Sequence, residues 1–248
     1  MSSPVGSPWP MDGSSKEGAE ALVSAVVVAA GKSSRMGGVD KIFAPVLGRP
    51  LIAYALDQLE NFSPVSEVAL VLDRASMEQG EALVQQRGYR KVSHVCAGGA
   101  RRQDSVRAGM EALGPCDWVI VHDGARPCLD QAMLLRGLEA ASESGAAVAG
   151  VPVKDTIKVV SPQEMVVDTP ARERLWAAQT PQIFRFTLLW DAHQRCEHPV
   201  TDDAAMVESL GHPVKMFLGS YENLKVTTPE DLAVAEVFLK IRTGVPEQ

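Results

Sequence analysis

The sequence has no excess of basic residues: 24 Lys and Arg stand against 31 Asp and Glu, for a net charge of −7. Gripping a nucleic-acid backbone takes a cationic surface, so long polyanions are poor candidate partners and any cationic site must be local. Cysteine is also scarce. Cys96, Cys116, Cys128 and Cys196 are widely spread with no CxxC pair, which argues against a zinc knuckle or a disulfide frame and suits reduced thiols in a cytosol. No apolar run approaches the ~20 residues of a membrane span. Residues 1–23 lack the apolar block of a signal peptide and contain no Arg, which argues against a transit peptide. Their Ser, Pro and Gly read as a disordered tail. Also missing are a nucleophile elbow, an HExxH pair, the GxxxxGK[ST] loop and the GxGxxG spacing of dinucleotide folds. Chemistry in such a chain has to come from positioning and charge neutralisation.

What is present is length and apolar content enough for one large core: 248 residues, 46% of them apolar. From Ser24 onward, apolar runs alternate with amphipathic segments, the pattern of βα units. "SAVVVAAG", "SEVALVLD", "KVSHVCAGG", "DWVIVHDG", "AAVAGVPV" and "VKMFLGS" read as strands, with helical segments between and after them. The expected fold is α/β: a Rossmann-like, mostly parallel twisted sheet with helices on both faces, one domain over residues 24–241 and a short tail at 242–248. Residues 153–170 break the rhythm. Two β-prone runs there flank a Ser-Pro turn and predict a hairpin arm. A two-stranded ribbon alone is marginal in water, so the arm is expected to pack against a second copy of the chain. At the far end, Thr228 with Pro229 and Asp231 reads as a helix cap, and the stripe Val234, Val237, Phe238, Ile241 is expected to dock that helix on the sheet.

Three loops concentrate charge where strands end. "VVVAAGKSSRMGGVDK" runs from a buried strand into glycines with Lys32, Arg35 and Lys41, and amides of such a loop can cradle phosphate oxygens. "GGARRQDSV", residues 98–106, repeats the arrangement, although alone it is equally a turn and helix cap. "VIVHDGARP", residues 119–127, ends a strand on Asp123 with Arg126 three residues later. An Asp there is either a turn residue or a ligand for Mg²⁺ shared with a polyphosphate. His122 has no second His at ligand spacing and reads as a packing residue. Open α/β sheets bind ligands at the carboxyl ends of their strands, so these loops belong to one candidate site. Arg172, Arg174, Thr180, Thr201, Asp202, Asp203 and Lys225 each have an ordinary reading as surface charges or caps.

In their order along the chain, "AAGKSSRMG…K", "GGARRQDSV", "HDGARP", "PVKDTIK", "RERLWAAQTPQIF", "TDDA" and "NLKVTTPEDL" resemble the 2-C-methyl-D-erythritol 4-phosphate cytidylyltransferases over residues 24–241. The resemblance implies Mg²⁺-dependent transfer of CMP from CTP to a polyol phosphate, with release of pyrophosphate, by a cytoplasmic homodimer of isoprenoid biosynthesis. It implies Arg35, Lys41, Arg172 and Lys225 as the catalytic cations and Asp123 as the Mg²⁺ ligand. Ala29, Ala30, Gly31, Gly98 and Ser105 would form the cytidine pocket. Arg126, Thr156 and Thr180 would make further polyol-phosphate contacts, with the arm residues completing the neighbouring subunit's site. Arg172 is preferred to Arg174 by its distance from Leu175-Trp176. Many relatives read Pro-Lys-Gln where this chain has Asp40-Lys41-Ile42, and Ala where it has Gly124. A ribitol-5-phosphate cytidylyltransferase is the nearest alternative, disfavoured by Ala29-Ala30-Gly31 in place of Ala-Gly-Gly. A non-catalytic nucleotide-binding regulator is a remote one.

Overall fold

Strands whose residues never alternate between apolar and polar need cover on both faces, and here they get it from helices on either side of one sheet. The computed structural model describes residues 21–31, 41–114, 116–196 and 198–244. Arg35 and nearly all of the expected N-terminal tail lie outside those residues.

β1 (Val23–Ala29) is flanked in parallel by β4 (Val65–Leu72) and β6 (Trp118–Asp123). Between β1 and β4 the chain makes a small hairpin, β2 (Pro45–Val46) and β3 (Arg49–Pro50), followed by α1 (Leu51–Asn61). Helix α2 (Met77–Arg87) leads to β5 (Val92–Ala97), parallel to β4, and α3 (Arg102–Ala112) returns to β6. Helix α4 (Gln131–Ser144) leads to β7 (Ala146–Pro152). The expected arm follows, with β8 (Val159–Val160) and β9 (Val166–Asp168) paired antiparallel. Then come β10 (Trp176–Arg185), α5 (Phe186–Arg195), α6 (Asp203–Ser209), β11 (Lys215–Leu218) and α7 (Pro229–Thr243). Seven strands form the sheet in the order β11-β7-β10-β6-β1-β4-β5, and β10 alone runs antiparallel to its neighbours. The mostly parallel, doubly covered sheet expected from the sequence is therefore what forms.

Helices α1, α2 and α4 cover one face, setting Ile52, Leu56, Leu83 and Met133 against Val27, Leu70 and Ile120. Helices α3, α5 and α6 cover the other, setting Met110, Leu189 and Met206 against Val26, Val71 and Val119. Each fully buried side chain of this kind contributes roughly 1.5–3 kcal/mol of transfer free energy. Consecutive valines of β1 thus serve opposite cores. Among the described residues, no helix is long and apolar enough to cross a membrane.

Two features differ from the sequence reading. The ten-residue strand β10 is unforeseen, because Thr180-Pro181 interrupts it and a proline cannot donate to a ladder. The chain accommodates the proline at a register shift between Ala178 and Gln182. Helix α7 is capped as expected, with the Thr228 hydroxyl accepting from the Asp231 amide, but its docking face is rotated. Val234, Val237 and Ile241 are 45%, 54% and 71% exposed, while Ala235 and Leu239 are buried and Phe238, alone of the expected stripe, packs half-buried beside them. The helix packs on α1 and the loop after β6, through Leu51, Tyr54 and Cys128, rather than on the sheet.

Candidate active site

Because β1, β4, β5 and β6 are parallel, their carboxyl ends share one edge, and the loops leaving them converge there. Ala29 closes β1, Gly98-Gly99 follow β5, and Asp123 closes β6. A cavity of about 510 Å³ opens between them, lined by Ala29, Ala30, Gly31, Lys41, Ser105, Asp123 and Lys225, with Arg101 and Arg102 on its wall. This volume is within the range of small-molecule sites.

The β5 end of this cavity needs small residues. A Cβ on Gly98 would stand 2.3 Å from the Ala30 Cβ and 2.6 Å from the Ser105 hydroxyl, so only glycine fits between β1 and α3. The Ser105 hydroxyl accepts from the Gly99 amide at 3.2 Å and donates to the Arg101 carbonyl at 3.2 Å, which fixes the loop over the first turn of α3. A Cβ on Gly124 would lie 3.1 Å from both Ala29 and Ile52, so the alanine frequent in relatives requires a few tenths of an ångström of give here.

Asp123 is the electrostatic centre. Its carboxylate takes an ion pair from Lys225 at 2.8 Å and hydrogen bonds from Arg102 at 3.3 Å, with the Arg126 guanidinium at 3.8 Å. Burial alone would push its pKa up. Arg102, Lys225 and Arg126 outweigh burial and hold the carboxyl well below the usual carboxylate range. Arg102 also donates to Asp203 at 2.5 Å. Despite its own burial Arg102 stays firmly protonated, because both carboxylates favour the cation. Asp203 has no exposed surface, and its second oxygen lacks a partner; burial pushes its pKa up, and Arg102 offsets only part of that.

A second cavity, of about 240 Å³, shares Arg102, Asp123 and Lys225 with the first and adds Arg126, Gln179, Thr180, Gln182, Thr201 and Asp202. The carboxylate and its cations thus form the wall between two compartments. The Asp123 amide donates to the Thr180 hydroxyl at 3.0 Å, which leaves that hydroxyl's proton for His122 Nδ1 at 3.2 Å. His122 Nε2 then donates to the Arg126 carbonyl at 3.1 Å. Burial lowers the His122 pKa to about 4, so the ring is neutral at pH 7 and serves as a strut beneath the site.

The cleft therefore gathers Lys41, Lys225, Asp123, Ala29, Ala30, Gly31 and Ser105, with Gly98 packed behind it; the second compartment gathers Arg126 and Thr180. Arg172 and Thr156 line neither cavity: both are exposed, and Arg172 donates to the Lys154 carbonyl at 3.0 Å at the base of the arm. Asp202 is the cap of α6, accepting from the Ala205 amide at 3.0 Å. Arg102 and Asp203 were not separated from their neighbours by sequence reasoning. The available signal was Asp104, which pairs with Arg101 at 2.6 Å and holds it outside, leaving Arg102 to turn inward.

A mostly parallel sheet with a cation-lined, glycine-walled cleft at its carboxyl edge defines an α/β nucleotide-binding protein that handles phosphate groups. The family model described as 2-C-methyl-D-erythritol 4-phosphate cytidylyltransferase, IspD, matches residues 23–241. A relative from Dehalococcoides mccartyi with that name is 48% identical over 218 residues, covering 88% of this chain and 96% of the relative. The crystal structure of the Thermus thermophilus protein of that name is 34% identical, with a TM-score of 0.70 over 88% of this chain and 99% of its own. The 4-diphosphocytidyl-2C-methyl-D-erythritol synthase from Anaerococcus prevotii is 27% identical, with a TM-score of 0.78 over 90% of this chain and 100% of its own. This chain belongs to the 2-C-methyl-D-erythritol 4-phosphate cytidylyltransferase family.

Proposed function

We propose that this chain transfers CMP from CTP to 2-C-methyl-D-erythritol 4-phosphate in isoprenoid biosynthesis. A phosphomonoester oxygen of the polyol phosphate attacks the α-phosphorus of CTP. The bond from that phosphorus to the oxygen bridging to the β-phosphorus breaks, and pyrophosphate leaves with the electron pair. The attacking oxygen is already anionic, so no strong general base is required. The barrier lies in bringing two polyanions together and in the charge that builds on the α-phosphate. The observation that carries this reading is the group of Lys41, Arg102 and Lys225 around the cleft that Asp123 closes.

In this reading Arg35 and Lys41 grip the triphosphate and stabilise the transition state, while Lys225 and Arg172 position the attacking phosphate. Ala29, Ala30, Gly31, Gly98 and Ser105 receive the cytidine, and the close packing at Gly98 supports a pocket shaped for a flat ring. Arg126, Thr156 and Thr180 add polyol-phosphate contacts, Thr180 by lining the second compartment, since its hydroxyl is committed to Asp123 and His122.

The residues fit a Mg²⁺ that arrives with the nucleotide. Asp123 is held ionised at the cleft, and among the described residues no cluster of three or more His, Cys, Asp or Glu offers a protein-only cage. Mg²⁺ commonly takes one or two carboxylates and completes its shell with phosphate oxygens and water. When bound, it would neutralise charge on the triphosphate.

Ile157, Val159, Val160, Met165, Val166 and Val167 of the arm are all exposed, an apolar ribbon too small to stand alone. A homodimer in which the arm brings Arg172 and Thr156 to the neighbouring site accounts for both facts. The working compartment is the cytoplasm, consistent with thiols that are all free. A pyrophosphate-release assay with CTP and either methylerythritol 4-phosphate or ribitol 5-phosphate tests the substrate: equal or better turnover of ribitol 5-phosphate overturns it, and tight CTP binding without turnover in saturating Mg²⁺ would favour a regulator.

A further inference from the structure

We infer that Asn223 is a positioning residue for the transfer, setting Lys225 and Arg126 at once from beneath the site; the inference rests on the reading of those two cations as polyol-phosphate contacts. Asn223 has no exposed surface. A buried carboxamide is costly unless its groups are hydrogen-bonded, so its partners show what the position requires. Its Nδ2 group donates to the Thr180 carbonyl at 2.8 Å and to Gln179 Oε1 at 3.3 Å, anchoring the segment to the irregular stretch of β10. Its own main-chain carbonyl accepts from Arg126 Nη1 at 2.7 Å. Two residues on, Lys225 reaches Asp123 at 2.8 Å, and the next amide, of Val226, closes on the Ala125 carbonyl at 2.8 Å.

The residue therefore joins three parts of the site: its side chain holds Thr180, whose hydroxyl accepts from the Asp123 amide, and so fixes the segment whose main-chain carbonyl receives the Arg126 guanidinium and which carries Lys225. The Asn223 Oδ1 atom has no protein partner. An apolar side chain of similar size would fill the same space without that cost. Besides a weak contact to Met133 Sδ at 3.6 Å, the bonds to Thr180 and Gln179, rather than volume, are what the position uses. Both bonds end on Gln179 and Thr180, which line the second compartment and not the first; Lys225 and Asp123 stand on the wall the two share, so the effect falls chiefly on the polyol phosphate and less on CTP.

The experiment measures KM for each substrate and kcat for wild type, Asn223→Ala, Lys225→Ala and the double variant, with thermal melting as the check of folding. For Asn223→Ala, KM for methylerythritol 4-phosphate is expected to rise at least about tenfold with a fall in kcat, while KM for CTP stays within about twofold, since small displacements of positioning groups cost orders of magnitude in rate. In the Lys225→Ala background the added loss from Asn223→Ala should shrink markedly, as expected when one residue acts through another. An equal rise in both KM values, fully additive losses, or unchanged kinetics would overturn the inference. Should Asn223→Ala fail to fold, Asn223→Ser, which keeps one donor in a small side chain, is held to the same thresholds. Lys225→Ala with normal use of methylerythritol 4-phosphate would remove the reading of the site and the inference with it. An impaired Lys225→Ala beside an unaffected Asn223→Ala removes the inference alone.

Discussion

Replacing Arg102 with methionine should make the stability of this protein fall more steeply with rising pH than the wild type's, because burial already raises the Asp203 pKa and Arg102 is what restrains it. Arg102 lies between Asp123 and Asp203, and the Asp203 side chain is 1% exposed. Removing one partner of a buried pair costs roughly 3–5 kcal/mol, because a charge is left without compensation. Asp203 has an escape: it can take up a proton, which its burial already favours and Arg102 opposes. Holding a carboxyl of unfolded pKa about 3.9 protonated at pH 7 costs about 4 kcal/mol at 1.36 kcal/mol per pH unit, and only about 1.5 kcal/mol at pH 5. The sign follows from linkage. With its folded pKa raised above the unfolded one, the variant's Asp203 contributes most at low pH and loses that contribution as pH rises. Urea unfolding of wild type and Arg102→Met at pH 5, 6, 7 and 8 should therefore show a gap that widens by up to about 1.4 kcal/mol per pH unit. Adding Asp203→Asn should close most of it by removing the stranded charge. A gap independent of pH, or a double variant as unstable as the single one, would refute the account of Arg102 as the counter-ion of a buried Asp203.

Arg35→Ala or Lys41→Ala should lower kcat by about 10²-fold or more with modest effect on melting temperature, as for loss of preorganised charge stabilisation; wild-type turnover by either would undo the catalytic assignment. Arg172→Ala should chiefly raise KM for the polyol phosphate, and mixing Arg172→Ala with Lys41→Ala chains should restore part of the activity if the arm completes a neighbouring site. No recovery on mixing counts against shared sites. His122 and His193 are both buried, which lowers each pKa to about 4. Depressed bases are fully stabilising above the unfolded value near 6.5 and lose that contribution as pH falls towards 4, by up to about 3 kcal/mol apiece. Melting temperature should fall over that window, and His122→Gln should flatten part of the fall.

The sheet was legible because its strands are long apolar runs separated by amphipathic segments, a pattern set by local physics. The edge shared by the three charged loops follows from the parallel run of the strands they leave. β10 was hidden because its defining events are not local: Thr180-Pro181 reads as a break, and only a partner strand on each side makes it tolerable. The face of α7 was misread for a related reason. Val234, Val237 and Ile241 are the more apolar stripe, yet the smaller Ala235 sits where α1 and Cys128 approach, and close packing selected the less hydrophobic face.

The site shows the same division between what a motif states and what packing decides. Asp123, Lys41 and Lys225 stand out by type and by resemblance, and the fold brings all three to one cleft. Arg102 differs from Arg101 by one helical position, and sequence alone does not say which turns inward. That choice is made by Asp104, which holds Arg101 outside, and by Asp203, about a hundred residues away, which receives Arg102. His122 and Asn223 were harder still, because a buried neutral imidazole and a buried amide have no charge to advertise them. Their importance comes from the number of site groups each one ties together, a property of the assembled edge and of no single segment. For a reaction whose chemistry is mainly the arrangement of charge, such uncharged struts determine where the cations stand, and the effect of substituting them should be read on substrate use before it is read on stability.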